Sequence, residues 1–409
     1  MFREALSGAS GEQRLTHFLQ QLGSRVQLPL RVALWNGGSV AFGPAPRVTI
    51  SVPRRESAHY FLPPTLDNLA EGYILGELDV DGPIEDVIAA AYGLARYSVQ
   101  PAGRFGRVMR ALTHTRKRDA QAIAHHYDVS NDFYQLWLDP QMVYSCAYFA
   151  GGAETLEQAQ TAKLDHILTK LMVQPNERLL DIGCGWGGLA LRAASHFGAR
   201  VTGITLSQNQ CDLARKRVRA AGLAGRIEIR LQDYRDVDGQ FDKITSVGMF
   251  EHVGLKHLPT YFGRINTLLT DGGLALNHGI TSTDAASGAT PYGASDFIAK
   301  YVFPHGELPH IGLALQAMQQ GGLEALDVES LRRHYARTLS LWAANYEAHS
   351  AAIRQLVNET TYRIWRIYLA GCAHAFREDW VSIYQVLACK AGADARLNST
   401  PWSRAYMYH

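Results

Sequence analysis

The sequence predicts an α/β protein in which a mostly parallel sheet carries helices on both faces, preceded by a smaller α+β domain. Three observations predict it. From about Leu179 onward, apolar and β-branched runs alternate with stretches of helical spacing, the order that builds a parallel sheet. The first of these strands runs into a glycine turn, Asp181-Ile182-Gly183-Cys184-Gly185-Trp186-Gly187-Gly188, that opens a helix. Before about residue 100 the pattern differs, with short alternating strands around a second glycine-rich turn.

Residues 1–100 read as the small domain. Val32-Ala33-Leu34-Trp35, then Asn36-Gly37-Gly38, then Val48-Thr49-Ile50-Ser51-Val52 has the chemistry of a hairpin, and a helix follows near Ile84–Leu94. Residues 101–122 form a basic linker. Arg104, Arg107, Arg110, Arg116, Lys117 and Arg118 accompany Phe105, Val108, Met109 and Leu112, which recur at helical spacing. Such a helix suits an anionic bilayer surface, and it equally suits a solvated linker whose stripe docks on a neighbouring domain. Both readings stay open. Residues 123–409 form the main domain. Arg178–Ile182, Arg200–Thr205, Ile227–Leu231, Phe241–Val247 and Gly273–Asn277 are its strands, and Leu189–Phe197 and Gln208–Ala221 its first helices. The region from Ser330 to Tyr384 is largely helical and aromatic-rich, and is expected to cover part of the sheet's ligand edge.

Bulk properties narrow the function. With 47% hydrophobic and 19% charged residues in 409, the chain reads as globular, and a net charge of +2 gives no electrostatic case for nucleic acid. The five cysteines (Cys146, Cys184, Cys211, Cys372 and Cys389) form no Cys-x-x-Cys pair, so no metal site or disulfide framework is expected. The polar start shows no secretory pattern, and no apolar run reaches the roughly 20 residues of a spanning helix. The expectation is a cytoplasmic protein that touches a membrane peripherally without crossing it.

Gly183, Gly185 and Gly188 satisfy G-x-G-x-x-G, a pattern open to either a dinucleotide or S-adenosylmethionine (SAM). A dinucleotide site expects an acid about 20 residues on, to hold ribose hydroxyls. That place reads Thr205-Leu206-Ser207-Gln208-Asn209-Gln210, without one. Asp181 instead opens the loop, which resembles the SAM-dependent methyltransferases. Asp233 and Tyr234, after the third strand, are placed to reach an adenine, although an Asp-Tyr pair there is more often a helix cap and an edge aromatic.

A wider constellation is more specific. His126-Tyr127-Asp128-Val129-Ser130-Asn131-Asp132-Phe133-Tyr134, Leu138-Asp139-Pro140 and Tyr144-Ser145-Cys146-Ala147-Tyr148-Phe149 precede the glycine turn. Phe250-Glu251-His252-Val253-Gly254 and Tyr335-x-Arg337-Thr338-Leu339 follow it. Together they resemble the cyclopropane-fatty-acid synthase family, which includes the mycolic-acid cyclopropane synthases, over about Ala124–Lys390. A looser likeness, Gly76-Glu77-Leu78-Asp79-Val80-Asp81-Gly82, marks the end of that family's small lipid-facing domain.

The resemblance implies a Rossmann-like class I SAM-dependent methyltransferase with two cofactors, SAM and bicarbonate. The substrate implied is an unsaturated phospholipid in the bilayer, and a homodimer is the family's suggestion. Tyr144, Ser145, Asp181, Gly183, Cys184, Gly185, Thr205, Leu206, Gln210, Asp233 and Tyr234 would surround SAM. Attack of a cis double bond on the SAM methyl leaves a carbocation, which loses a proton before the ring closes, or collapses instead to a methylene-branched chain. A dry channel suits that cation, and Phe133, Tyr148, Phe149, Phe250, Tyr301, Phe303 and Tyr335 are candidates for its wall, most of them core by the ordinary habits of such residues. The resemblance assigns the bicarbonate cradle to Cys146, Glu251, His278, the Ile280 backbone and Tyr335. Cys372 matches a family cysteine as well, but direct methyl transfer needs no covalent enzyme intermediate, so packing ranks ahead of catalysis for it. His305 stands where the family often has a small residue, and puts chain preference and acyl access in question.

Overall fold

A computed structural model of the chain describes residues 9–98, 129–285, 301, 307–392 and 400–408. The basic stretch Arg104–Arg118, His126 to Asp128, Phe303 and His305 lie outside the described residues.

The first sheet joins β1 (Leu30–Leu34), β2 (Ser39–Ala41), β3 (Val48–Val52) and β4 (Asp79–Asp81) in the order β2-β1-β3-β4. The expected hairpin forms, but with a different second strand. Asn36-Gly37-Gly38 closes the turn, with Leu34 N–H donating to the Gly38 carbonyl at 2.8 Å and Gly37 at φ 83°. The Asn36 side chain accepts from Gly38 N–H at 2.8 Å. Ser39–Ala41 therefore returns antiparallel to β1, while Val48–Val52 crosses to the other edge of β1 and pairs with it in parallel. A tight turn commits the residues next to it, so the longer run is left for the far edge. Helices α1 (Ala9–Arg25), α2 (Leu66–Ile74) and α3 (Ile84–Ser98) complete this part.

The second sheet has seven strands, β5 (Arg178–Ile182), β6 (Arg200–Thr205), β7 (Ile227–Leu231), β8 (Phe241–Val247), β9 (Leu269–Ser282), β10 (Leu323–Ser330) and β11 (Val381–Lys390). Their order is β10-β11-β9-β8-β5-β6-β7, and β11 alone runs antiparallel to its neighbours. This is the Rossmann-like α/β arrangement, a mostly parallel sheet with helices on both faces. The strands expected at 178–182, 200–205, 227–231 and 241–247 form with those bounds. Gly273–Asn277 is only the middle of β9, whose polar second half is held by β11 from Leu274↔Cys389 to Ser282↔Val381.

Short helix α4 (Asn131–Gln135) is followed by α5 (Leu156–Lys170), α6 (Gly188–His196), α7 (Gln208–Ala220), α8 (Leu258–Leu268) and α9 (Ile311–Gln320). Then come α10 (Arg332–Ala348), α11 (Ser350–Leu356) and α12 (Glu359–Arg377). Between them lies an aromatic core of Phe133, Tyr134, Trp137, Tyr144, Trp342 and Trp365, with ring centroids 5.2–6.3 Å apart in tilted and edge contacts. Helix α12 also seats the small sheet's helices. Arg363 donates to the Tyr73 carbonyl at 2.8 Å, and Arg366 donates to the Tyr73 hydroxyl at 2.9 Å while chelating Glu347 at 2.8 and 2.9 Å. One apolar cluster runs from Leu15, Ile50 and Phe61 to Trp342 and Trp365. Among the described residues no helix is long and apolar enough to cross a membrane.

Candidate active site

Strand β5 delivers Asp181 to the pocket, and the chain turns sharply at once. Gly183 (φ 79°), Gly185 (φ 54°) and Gly187 (φ 82°) all occupy the left-handed region, where a Cβ is strained. Gly183 and Cys184 donate to the Ile204 carbonyl at 3.0 and 2.9 Å, which ties the loop to the end of β6. A Cβ on Gly188 would meet Val143 Cγ2 at 3.0 Å, so this glycine lets α6 approach the loop before it. A Cβ on Gly185 would meet nothing within 4 Å, because Gly185 faces the open pocket.

The pocket is lined by ten of the eleven residues expected to surround SAM: Tyr144, Ser145, Asp181, Gly183, Cys184, Gly185, Thr205, Leu206, Gln210 and Tyr234. Asp233 is the exception. Its carboxylate caps the next turn, accepting from Arg235 N–H at 2.9 Å, and is chelated by the Arg235 guanidinium at 2.8 and 2.6 Å. Gln232 lines the pocket in its place. At the end of β6, Thr205 Oγ1 donates to Gln210 Oε1 at 2.8 Å, leaving the Gln210 amide nitrogen as the polar end where a dinucleotide site would carry an acid.

Asp181 is 2% exposed and accepts from Thr245 Oγ1 at 2.9 Å. Burial raises its pKa to about 6, against the opposing pull of that hydrogen bond and of Lys163. Lys163 is a site residue that sequence reasoning missed. It is buried, lines the pocket and donates to Ser145 Oγ at 2.6 Å; burial lowers its pKa to about 8. Its signal was a lysine on the apolar face of α5, at helical spacing with Ala159 and Ile167. Met249 and His252, also missed, line the pocket from the segment after β8.

That segment also supplies the second half of the site. β8 ends at Val247, opposite His278 on β9, and the chain leaves through Gly248, whose N–H donates to the His278 carbonyl at 2.8 Å. Two residues further along β9, the N–H of Ile280 has lost its strand partner. Glu251 takes the place, with Oε1 accepting from Ile280 N–H at 2.6 Å. The Ile280 N–H that resemblance assigned to the cradle is thus engaged by Glu251. Glu251 Oε2 and His278 Nε2 are both buried side-chain atoms without a hydrogen-bond partner among the described residues. Burial raises the Glu251 pKa to about 7 and drives His278 well below the usual imidazole range, so this histidine is neutral. An orphaned acceptor and an orphaned imidazole nitrogen are a set that a small oxyanion carrying its own O–H would satisfy.

Cys146 is fully buried, its thiol reaching the Ala147 and Leu331 carbonyls at 3.3 and 3.8 Å, and burial raises its pKa. It presents a thiol, not a thiolate. Tyr335 on α10 packs on Phe376 with centroids 4.7 Å apart. Cys372, one turn after Tyr368 on α12, shares a hydrogen bond with it, and burial pushes its thiol up to about 12; this is packing chemistry. Of the expected channel wall, Phe133 belongs to the aromatic core, and Tyr148 stacks between His166 (4.3 Å) and His334 (4.8 Å). Phe250 lies so close beneath Gly279 that a Cβ there would stand 1.6 Å from its ring.

Comparison with known proteins adds a family. Residues 114–386 match mycolic acid cyclopropane synthetase, and residues 17–102 match a domain of unknown function. A Pseudomonas putida protein named probable fatty acid methyltransferase is 45% identical over 390 residues, covering 94% of this chain and 97% of its own. The cyclopropane-fatty-acyl-phospholipid synthase of Escherichia coli K12 is 41% identical over 262 residues, 64% of this chain and 66% of its own. The crystal structure of mycolic acid cyclopropane synthase CmaA1 complexed with SAH and CTAB is similar at a TM-score of 0.63 and 35% identity, over 66% of this chain and 98% of that one.

Proposed function

The chain belongs to the mycolic acid cyclopropane synthetase family and is a SAM-dependent methyltransferase, and we propose that it methylates a cis double bond in an unsaturated phospholipid acyl chain and closes a cyclopropane ring. The observation that carries this reading is that Glu251 Oε2 and His278 Nε2 are both buried without a hydrogen-bond partner among the described residues, His278 standing opposite the pocket residue Val247. Transfer to an alkene carbon must end with removal of a C–H proton inside a site that excludes water.

SAM, when bound, supplies an electrophilic methyl group. The glycine turn and Asp181 would hold its amino-acid end, with Gln210, Gln232 and Tyr234 toward the nucleoside. Bicarbonate, when bound, would supply the base that accepts the proton. For it, neutral His278 offers one N–H, and Glu251, poised near neutrality, offers an acceptor for an O–H. The hydroxyl of Tyr335 is a third candidate donor. The small domain docked on α12 would hold the lipid, in peripheral contact with the bilayer.

A second reading is favoured by the name of the Pseudomonas putida relative. A 1,2-hydride shift onto the cation followed by proton loss from the transferred methyl gives a methylene-branched chain, and later reduction a methyl branch. Both readings are tested first by incubation with SAM and liposomes of cis-monounsaturated phospholipid. The expected result is an acyl mass gain of one CH2, faster when bicarbonate is restored to degassed buffer. Absence of any gain, or methyl label in the headgroup, contradicts both.

A further inference from the structure

The register of the sheet sets Glu329, Gln385 and His278 opposite one another on β10, β11 and β9. Opposed residues share a face, so these three side chains form one polar row across the sheet. The His278 carbonyl accepts from Gly248 on the β8 side, so its own backbone groups point away from β11. The His278–Gln385 pair is therefore a non-hydrogen-bonded pair, the kind in which side chains stand closest. Both residues are fully buried, and Gln385 Nε2 lies 3.2 Å from His278 Nδ1. At the far end of the row the Glu329 carboxylate is taken by His166 Nε2 at 2.8 Å and by Lys170.

We propose that Gln385 is a positioning residue, whose amide donates to His278 Nδ1 and so places the imidazole hydrogen on Nε2, the nitrogen without a partner among the described residues. A neutral imidazole carries one N–H. With Nδ1 accepting from Gln385, that hydrogen sits on Nε2 and makes it a donor. A carboxylate or carbonyl opposite Nδ1 would fix the other tautomer, and Nε2 would then turn a lone pair toward an anion's oxygen. The Gln385–His278 contact thus makes β9 and β11 an anion donor while the imidazole itself stays uncharged. This inference rests on the oxyanion reading of the Glu251–His278 gap.

The test has two arms. Two-bond 1H–15N spectra of 15N-histidine-labelled protein report which nitrogen of His278 carries hydrogen, with the signal identified by its loss in His278→Gln. The expected result is hydrogen on Nε2 in the unaltered chain and a mixture of tautomers in Gln385→Met, which keeps volume and removes the donor. In parallel, Gln385→Met should raise the KM for bicarbonate about tenfold with SAM affinity unchanged. Hydrogen on Nδ1 in the unaltered protein overturns the proposal, as does a Gln385→Met variant with unchanged tautomer and unchanged KM. A rate indifferent to bicarbonate in the unaltered protein would overturn the oxyanion reading instead. The tautomer measurement would still decide the role of Gln385, and it needs no variant at position 385.

Discussion

Glu251→Gln separates the cost of a buried charge from its use. The carboxyl is 6% exposed, and burial raises its pKa from the usual 4.5 to about 7. Between those values the folded state holds a proton that the unfolded chain has released, so stability falls as pH rises through the window. The fall from pH 5 to pH 8 is about 2.5 kcal/mol for a shift of this size. Glutamine keeps an oxygen for the Ile280 N–H and removes the titration. It leaves an unpartnered amide nitrogen in place of Oε2, a cost that is the same at every pH. The difference in unfolding free energy between the variant and the unaltered protein should therefore move in the variant's favour by about 2.5 kcal/mol from pH 5 to pH 8. Urea unfolding at both pH values measures it, and SAM binding should survive while turnover falls at least a hundredfold, roughly the share of a positioned acid–base group. A pH-independent difference would refute the claim that Glu251 is buried and titrates near neutrality. Loss of SAM binding would refute its placement outside the methyl-donor pocket.

Other outcomes follow from the same geometry. Gly185→Ala should weaken SAM at least tenfold by calorimetry while costing only about 1 kcal/mol of stability, because its φ is left-handed and its missing Cβ opens on the pocket. Asp233→Asn should leave the SAM dissociation constant within about twofold, since the carboxylate serves Arg235, whereas Gln232→Ala should weaken SAM by about tenfold. If Asp181 receives the SAM ammonium group, affinity should tighten as pH rises through about 6, the pH at which its raised pKa lets the carboxylate form; a flat profile from pH 5 to 7 counts against that contact. Arg366→Met should destabilise the protein by about 2 kcal/mol and speed proteolysis within residues 9–98, because it strands Glu347 and the Tyr73 hydroxyl at the α12 interface.

The parallel half of the sheet could be read from the chain because each of its strands is a local apolar run bounded by a helix and a turn. β10, β11 and the polar end of β9 could not. His278-Gly279-Ile280-Thr281-Ser282 is a strand only because Val381–Cys389 lies beside it, about a hundred residues away in sequence. The glycine turn and its polar neighbours showed themselves by spacing. Lys163 showed only its place on an apolar helix face, which does not say whether its end reaches solvent or a buried Ser145. Asp233 illustrates the converse, since an aspartate after a strand serves equally as a cap or a ligand contact until Arg235 is seen to occupy it. Glu251 and His278 came from resemblance, but their unpartnered atoms are a property of the folded sheet alone.

The proposed product is tested most directly with SAM carrying a 13C-labelled methyl group, liposomes of cis-monounsaturated phospholipid and 13C NMR of the recovered acyl chains. Ring closure puts the label in a saturated cyclopropane CH2 at high field. A label in an alkenyl =CH2 or a methyl branch would contradict ring closure and assign the chain to acyl C-methylation.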